Sequence, residues 1–154
     1  MNEPLTIPSQ SPRFGLPLLF SGQAQKEFYV NEAHSLIDML LHPAVEGEAA
    51  APPASPAPGA CWLVAGDATG EWTGHAGEIA SFQAGTWLFA MPQDGMRVFD
   101  RSRLQALVYR GGWLRPVAPD PVAGGDTVDV QARAAIEQLI AALIAVGIIA
   151  PPSA

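Results

Sequence analysis

The placement of proline constrains this chain more than any other feature. Pro4, Pro8, Pro12 and Pro17 crowd the first nineteen residues, and Pro52, Pro53, Pro56 and Pro58 crowd a second stretch. Each proline removes a backbone donor and disfavours helix at the residue before it. Residues 1–20 are therefore expected to be an extended arm. Phe14, Leu16, Leu18, Leu19 and Phe20 make it too apolar for a free tail, so it should lie against its own domain or a neighbouring subunit. Residues 44–60, rich in Ala, Pro and Gly, read as a semi-rigid linker without regular structure.

Three segments remain that can form regular elements. Over 21–43, Ser21 can cap a helix that His42-Pro43 stops. Tyr29, Ala33, Leu36, Ile37, Leu40 and Leu41 fall on one apolar face of it, and Gln25, Glu27, Asn31, Glu32, Ser35 and Asp38 fall elsewhere. From 61 to 116 the period changes to two, with apolar runs at 61–65, 86–91, 96–100, 104–110 and 113–115 separated by glycine turns. Gly111-Gly112 suits a two-residue hairpin loop. A Gly-x-Trp tripeptide recurs at Gly70-Glu71-Trp72, Gly85-Thr86-Trp87 and Gly111-Gly112-Trp113, at a spacing too irregular for a solenoid. Over 117–154, a loop precedes a closing helix from Thr127 to Val146, capped by Asp126 or Thr127 and ended by Gly147. The expected fold is α+β, a small antiparallel meander or barrel-like sheet flanked by an N-terminal helix and a C-terminal oligomerising helix.

Composition excludes several function classes. The net charge of −7 argues against a phosphate-neutralising surface, so no nucleic-acid partner is expected. Five of the eight basic residues, Arg97, Arg101, Arg103, Arg110 and Arg115, cluster locally and read as a solvated sheet face or edge. The single Cys61 makes no intramolecular disulfide. The first residues lack the basic start and apolar run of a signal peptide. The most apolar stretch, Leu139–Ala150, is shorter than the ~20 residues a bilayer-spanning helix needs, so no membrane insertion is expected.

No catalytic residue, cofactor or metal is expected. His34, Asp38 and His42 at i, i+4 and i+8 have zinc-like spacing, but His42 precedes a proline, and a solvated helix face is the plainer reading. Cys61 with His75 could be drawn as nucleophile and base, yet a cysteine beside Trp62 in an apolar run is usually a small core residue. Asp67, Glu71 and Glu78 sit among turn glycines and suit solvent-facing loops. The tryptophans Trp62, Trp72, Trp87 and Trp113 either form the core of the sheet or stack on sugar rings, with Trp72, Trp87 and Trp113 the candidate contacts to a glycan or partner. Ala132, Ile136, Leu139, Leu143 and Val146 form a 4-3-4-3 seam, widened by Ile140 and Ile144. Ile136, Leu139, Ile140, Leu143 and Val146 are the expected oligomer interface, and the isoleucines lean towards a homotrimer.

Three segments carry a family resemblance. They are Pro12-Arg13-Phe14-Gly15-Leu16-Pro17 with Gly22-Gln23-Ala24-Gln25-Lys26-Glu27 and the run Asn31–Asp38; the tryptophan-rich middle around Cys61–Val64, Gly70–Gly77 and Gly85–Phe89; and Thr127–Ile136. They resemble an uncharacterised domain family, a domain of unknown function, associated with alphaproteobacterial prophages, phage tail-fibre-like proteins and gene transfer agents. The resemblance implies a virion structural protein made in the bacterial cytoplasm, not an enzyme, with other virion proteins as partners. It brings no catalytic residues. With no long receptor-binding extension after the closing helix, an adaptor that anchors or extends a fibre or spike is the expected role. The alternative is a carbohydrate-binding module that recognises a host surface glycan through exposed tryptophans.

Overall fold

A computed structural model describes residues 9–22, 26–120, 124–125 and 129–150. The chain divides into two compact units, Met1–Pro92 and Gln93–Ala154. Among the described residues, two α-helices and eight strands make two small sheets that do not close into a barrel, so the fold is α+β as expected. The barrel-like closure is not found.

In the first unit, helix α1 spans Lys26–Leu40 and strands β1 and β2 span Ala44–Val45 and Glu48–Ala49. Strands β3 (Cys61–Val64), β4 (Ile79–Gln83) and β5 (Thr86–Ala90) follow. The sheet runs β2-β3-β4-β5, with β2 parallel to β3 and the others antiparallel. The expected linker thus carries two short strands. Its prolines leave these strands clear, because they all lie between 52 and 58.

The central strand β4 was not legible as a strand. Its sequence, Ile-Ala-Ser-Phe-Gln, lacks the run of large β-formers that usually marks one. The small side chains have a packing cause. Ala80 is fully buried in one cluster with Val64 and Trp72, and a larger residue would displace the indole. The β4–β5 hairpin closes through the pair Gln83↔Thr86, so Ala84 and Gly85 form a two-residue loop. Both have positive φ, 49° and 81°, which is the type I′ pattern.

The burial of α1 departs from the expected face. Tyr29 is 80% exposed and Phe28 70%, Ala33, Ile37 and Leu41 are exposed, and Leu36 and Leu40 are half-buried. Glu27, Asp38 and Met39 are the buried residues. The cause is the arm, which folds back on this helix and presents backbone groups that need partners. Asn31 makes a reciprocal pair with Leu19, accepting from its amide at 2.8 Å and donating to its carbonyl at 3.0 Å. His34 Nδ1 lies 2.7 Å from the Pro17 carbonyl oxygen. Arg13 donates to the carbonyls of Asp38, Met39 and His42, closing the C-terminal end of the helix. A polar stripe therefore faces inward. Of the expected helix start, residues 23–25 lie outside the described residues.

In the second unit, β6 (Arg97–Asp100), β7 (Gln105–Tyr109) and β8 (Trp113–Leu114) form an antiparallel meander. Tyr109 pairs with Trp113, so the loop holds three residues, Arg110 to Gly112, not the expected two. Arg110 donates its amide to the Gly112 carbonyl at 2.9 Å, and Asp94 accepts from the Gly111 amide. Helix α2 spans Val130–Ala145. Its N-cap is Asp129, whose carboxylate accepts from the Ala132 amide at 2.9 Å. The expected caps, Asp126 and Thr127, lie outside the described residues.

The end of α2 is a double hydrogen-bonded stop. Ile148 donates to the Leu143 carbonyl and Gly147 to the Ile144 carbonyl, each at 2.9 Å, with Gly147 at φ 70°. This is the left-handed glycine termination. The chain then fastens to β7, because Ala106 donates its amide to the Gly147 carbonyl. Ile149 is buried, and Ala150 donates to the Pro116 carbonyl.

Candidate functional site

Strand alternation sorts the first sheet into two faces. Trp62, Ala80 and Phe89 share one row, and Phe82 and Trp87 the next, because these residues are registered partners. The other face holds Cys61, Leu63, Ile79 and Ser81, all buried. Every large aromatic residue of this sheet is therefore on the first face.

Trp72, at the end of a short 3-10 turn over Gly70–Trp72, caps that face and is fully buried. Its ring centroid lies 5.0 Å from Trp87 at an interplanar angle of 89°, and 6.3 Å from Trp62. Trp62 and Trp87 stand 5.7 Å apart, edge to face, and Phe82 lies 5.2 Å from Trp87. Such edge-to-face arrangements are the favoured ones for aromatic pairs. His75 stacks on Phe89 at 3.6 Å and 6°, and its Nδ1 lies 3.0 Å from Glu78 Oε2. Around a buried centre, Trp62, Trp87, Phe82 and Phe89 keep partly exposed rings.

The candidate glycan contacts are thus placed differently from one another. Trp72 has no ring surface open to a sugar. Trp87 is half-exposed on the aromatic face, and Trp113 is half-exposed in the second unit against Tyr109. Trp62, not among the expected contacts, is the further half-exposed indole of this face. Its signal was its place in alternation with Cys61 and Leu63.

The remaining motifs do not come together. Cys61 is buried, with its thiol 3.4 Å from the Gly59 carbonyl, on the sheet face opposite the one His75 stacks against. Asp38 is not on a solvated helix face, as expected, but fully buried. Its carboxylate accepts from the Ser11 hydroxyl and from the Arg13 and Phe14 amides. His42 lies beyond the helix at φ 51°. Asp67 and Glu71 are exposed, whereas Glu78 is half-buried beside His75. Among the described residues, no group of three His, Cys, Asp or Glu side chains is placed to hold a metal ion.

In the second unit, Asp100 organises the β6–β7 turn. Ser102 donates both its amide and hydroxyl to Asp100 Oδ1, at 2.9 and 2.6 Å, and Arg115 donates to Oδ2 at 2.5 Å. Burial raises the carboxyl's pKa, but the Ser102 bonds, the Arg115 bond and charge, and the Arg103 amide outweigh it. The net result is a carboxyl held below its ordinary value.

Among the described residues, helix α2 leaves much of its apolar surface open. None of its residues is buried. Ile136 is 45% exposed, Leu139 60% and the C-cap Val146 68%, with Ile140, Leu143 and Ile144 half-buried. No helix among the described residues is long and apolar enough to cross a membrane.

A two-unit α+β module with an aromatic sheet face and an uncovered apolar helix is the class of protein these features define. Residues 30–114, more than half of the chain, match the family described as protein of unknown function (DUF2793). The chain belongs to that family. No curated protein matches it.

Proposed function

We propose that this protein is a structural component of a phage or phage-like particle, a non-catalytic piece that anchors or extends a fibre or spike as a homo-oligomer. The observation that carries the assembly claim is α2, an apolar helix in which no residue is buried. Burying an aliphatic side chain is worth ~1.5–3 kcal/mol, so several exposed on one helix favour association. A closed ring of identical subunits covers them without leaving a sticky edge. Isoleucine at the seam leans towards three subunits. The particle context is supported by the sequence resemblance of the arm, the tryptophan-rich middle and the closing helix.

Light scattering on the purified protein tests the assembly. The expected mass is three times the 16.2 kDa of one chain. A monodisperse monomer at micromolar concentration overturns it. Gold labelling of particles in negative stain tests the location, and labels absent from particles overturn that part.

A second reading is favoured by the half-exposed Trp62, Trp87 and Trp113, namely recognition of a host surface glycan. Glycan binding that protects these indoles from a soluble fluorescence quencher supports it; unchanged quenching at saturating glycan rejects it.

A further inference from the structure

The first unit has a cleft of about 350 Å³, walled by the end of the arm, the start of α1 and the β4–β5 hairpin. Leu19, Phe28 and Leu88 supply apolar walls, and Glu27 and Glu32 supply carboxylates. We infer that this cleft docks a segment of a neighbouring protein that carries an arginine or lysine between apolar residues.

The side-chain amides of the walls, Asn31 and Gln83, are already engaged. Both ends of the Asn31 amide are bonded to Leu19, and the Gln83 amide nitrogen donates to the Ser35 carbonyl and lies 3.4 Å from the Ser81 hydroxyl. Glu27 accepts from the Gly22 amide at 3.1 Å. Glu32 is exposed on α1 and makes no ion pair among the described residues. The strongest recognition left is therefore negative charge beside apolar surface. A long cationic side chain matches both, because its stem packs on apolar walls and its head meets a carboxylate.

Charge distribution points the same way. Residues 1–92 hold nine acidic and two basic residues, whereas 93–154 hold six of each, so the first unit carries the whole net charge of −7. One of its two basic groups, Arg13, is held by the carbonyls at the end of α1. A cationic partner would thus be drawn to this unit before it docks. Phe28, 70% exposed in the cleft wall, extends the apolar contact beyond a single side chain, which favours a peptide segment over a free small cation. This inference does not depend on α2 association.

The test uses the whole protein and a capped leucyl-arginyl-leucine peptide, read by chemical-shift changes in a titration. Saturable shifts are expected at Asn31, Ser35, Thr86 and Leu88. The same peptide with glutamine for arginine should bind about fivefold more weakly, and Glu32→Gln should weaken the arginine peptide about threefold. Added salt should weaken it further. Thr86→Trp, at an exposed strand position in the cleft wall, should abolish the shifts. Equal binding of the glutamine peptide, shifts mapping elsewhere, or no effect of Glu32→Gln overturns the inference. Butylguanidinium binding as tightly as the peptide also overturns it, since a free cation would then suffice.

Discussion

The Ser11 hydroxyl donates a 2.6 Å hydrogen bond to Asp38 Oδ1 across 27 residues of chain. Both side chains are buried, and the same carboxylate holds the amides of Arg13 at 3.0 Å and Phe14 at 2.7 Å. The turn of the arm is wound around one acidic side chain. Hydrogen bonds to a charged group contribute ~1.5–3 kcal/mol each, and several depend on Asp38. Asp38→Ala should therefore destabilise the protein by about 3 kcal/mol or more, and Ser11→Ala by about 1–2 kcal/mol. Urea unfolding measures both. An Asp38→Ala midpoint equal to the parent's would mean the arm is not held this way.

Ala84 sits at φ 49° in a two-residue hairpin whose second member is Gly85. An L-residue with Cβ pays about 1–2 kcal/mol for that conformation, and asparagine tolerates it best. Ala84→Asn should raise stability by about 0.5–1 kcal/mol, visible as a higher thermal midpoint. A lower midpoint would show that the loop has another geometry in solution.

Asp100 makes acid stability a local property of the second unit. Its carboxyl lies below the ordinary value of 3.8, so the folded state favours the ionised form. The stabilisation is present above the unfolded value and is lost as pH falls through the folded one. Stability should therefore decline below about pH 3.8 through this group. Arg115→Ala removes a bond and a charge that hold the carboxyl down, and should move the acid transition of the Trp113 signal to higher pH. An unmoved transition would place the acid sensitivity elsewhere.

Gly147 has no room for a side chain. A Cβ there would stand 3.0 Å from the Phe99 ring and 3.1 Å from the Leu104 carbonyl oxygen, at φ 70°. Gly147→Ala should cost about 2 kcal/mol, combining the left-handed penalty with a clash against backbone. Denaturant unfolding followed at Trp113 reads it. A near-neutral result would mean the tail after α2 is not fastened to β7.

What was legible in the chain follows from which forces act locally. Strands β3, β5, β6 and β7 show themselves by alternation, and α2 by its apolar spacing and its Gly147 stop. Helix α1 was legible as a helix, but not which side of it is buried. Tyr29, Ala33 and Ile37 form the apolar stripe, yet the arm brings unpaired amides that take Asn31 and Asp38 instead. That choice depends on a segment twelve to twenty-seven residues away, beyond any periodicity. Strand β4 was hidden because Ala80 is small for the sake of Trp72, a contact between distant residues. On the aromatic face, Trp72 and Trp87 look alike as Gly-x-Trp tripeptides; only the 3-10 turn separates the buried indole from the half-exposed one.

Three indoles held within 5.0 to 6.3 Å of one another have an optical consequence. Their transition dipoles couple, so the circular dichroism of the native protein should carry a paired positive and negative exciton band that vanishes when the cluster opens. All three lie in the first unit, while the second has Trp113 alone. The chain thus carries its own reporter, sensitive to one unit and blind to the other, with no label attached.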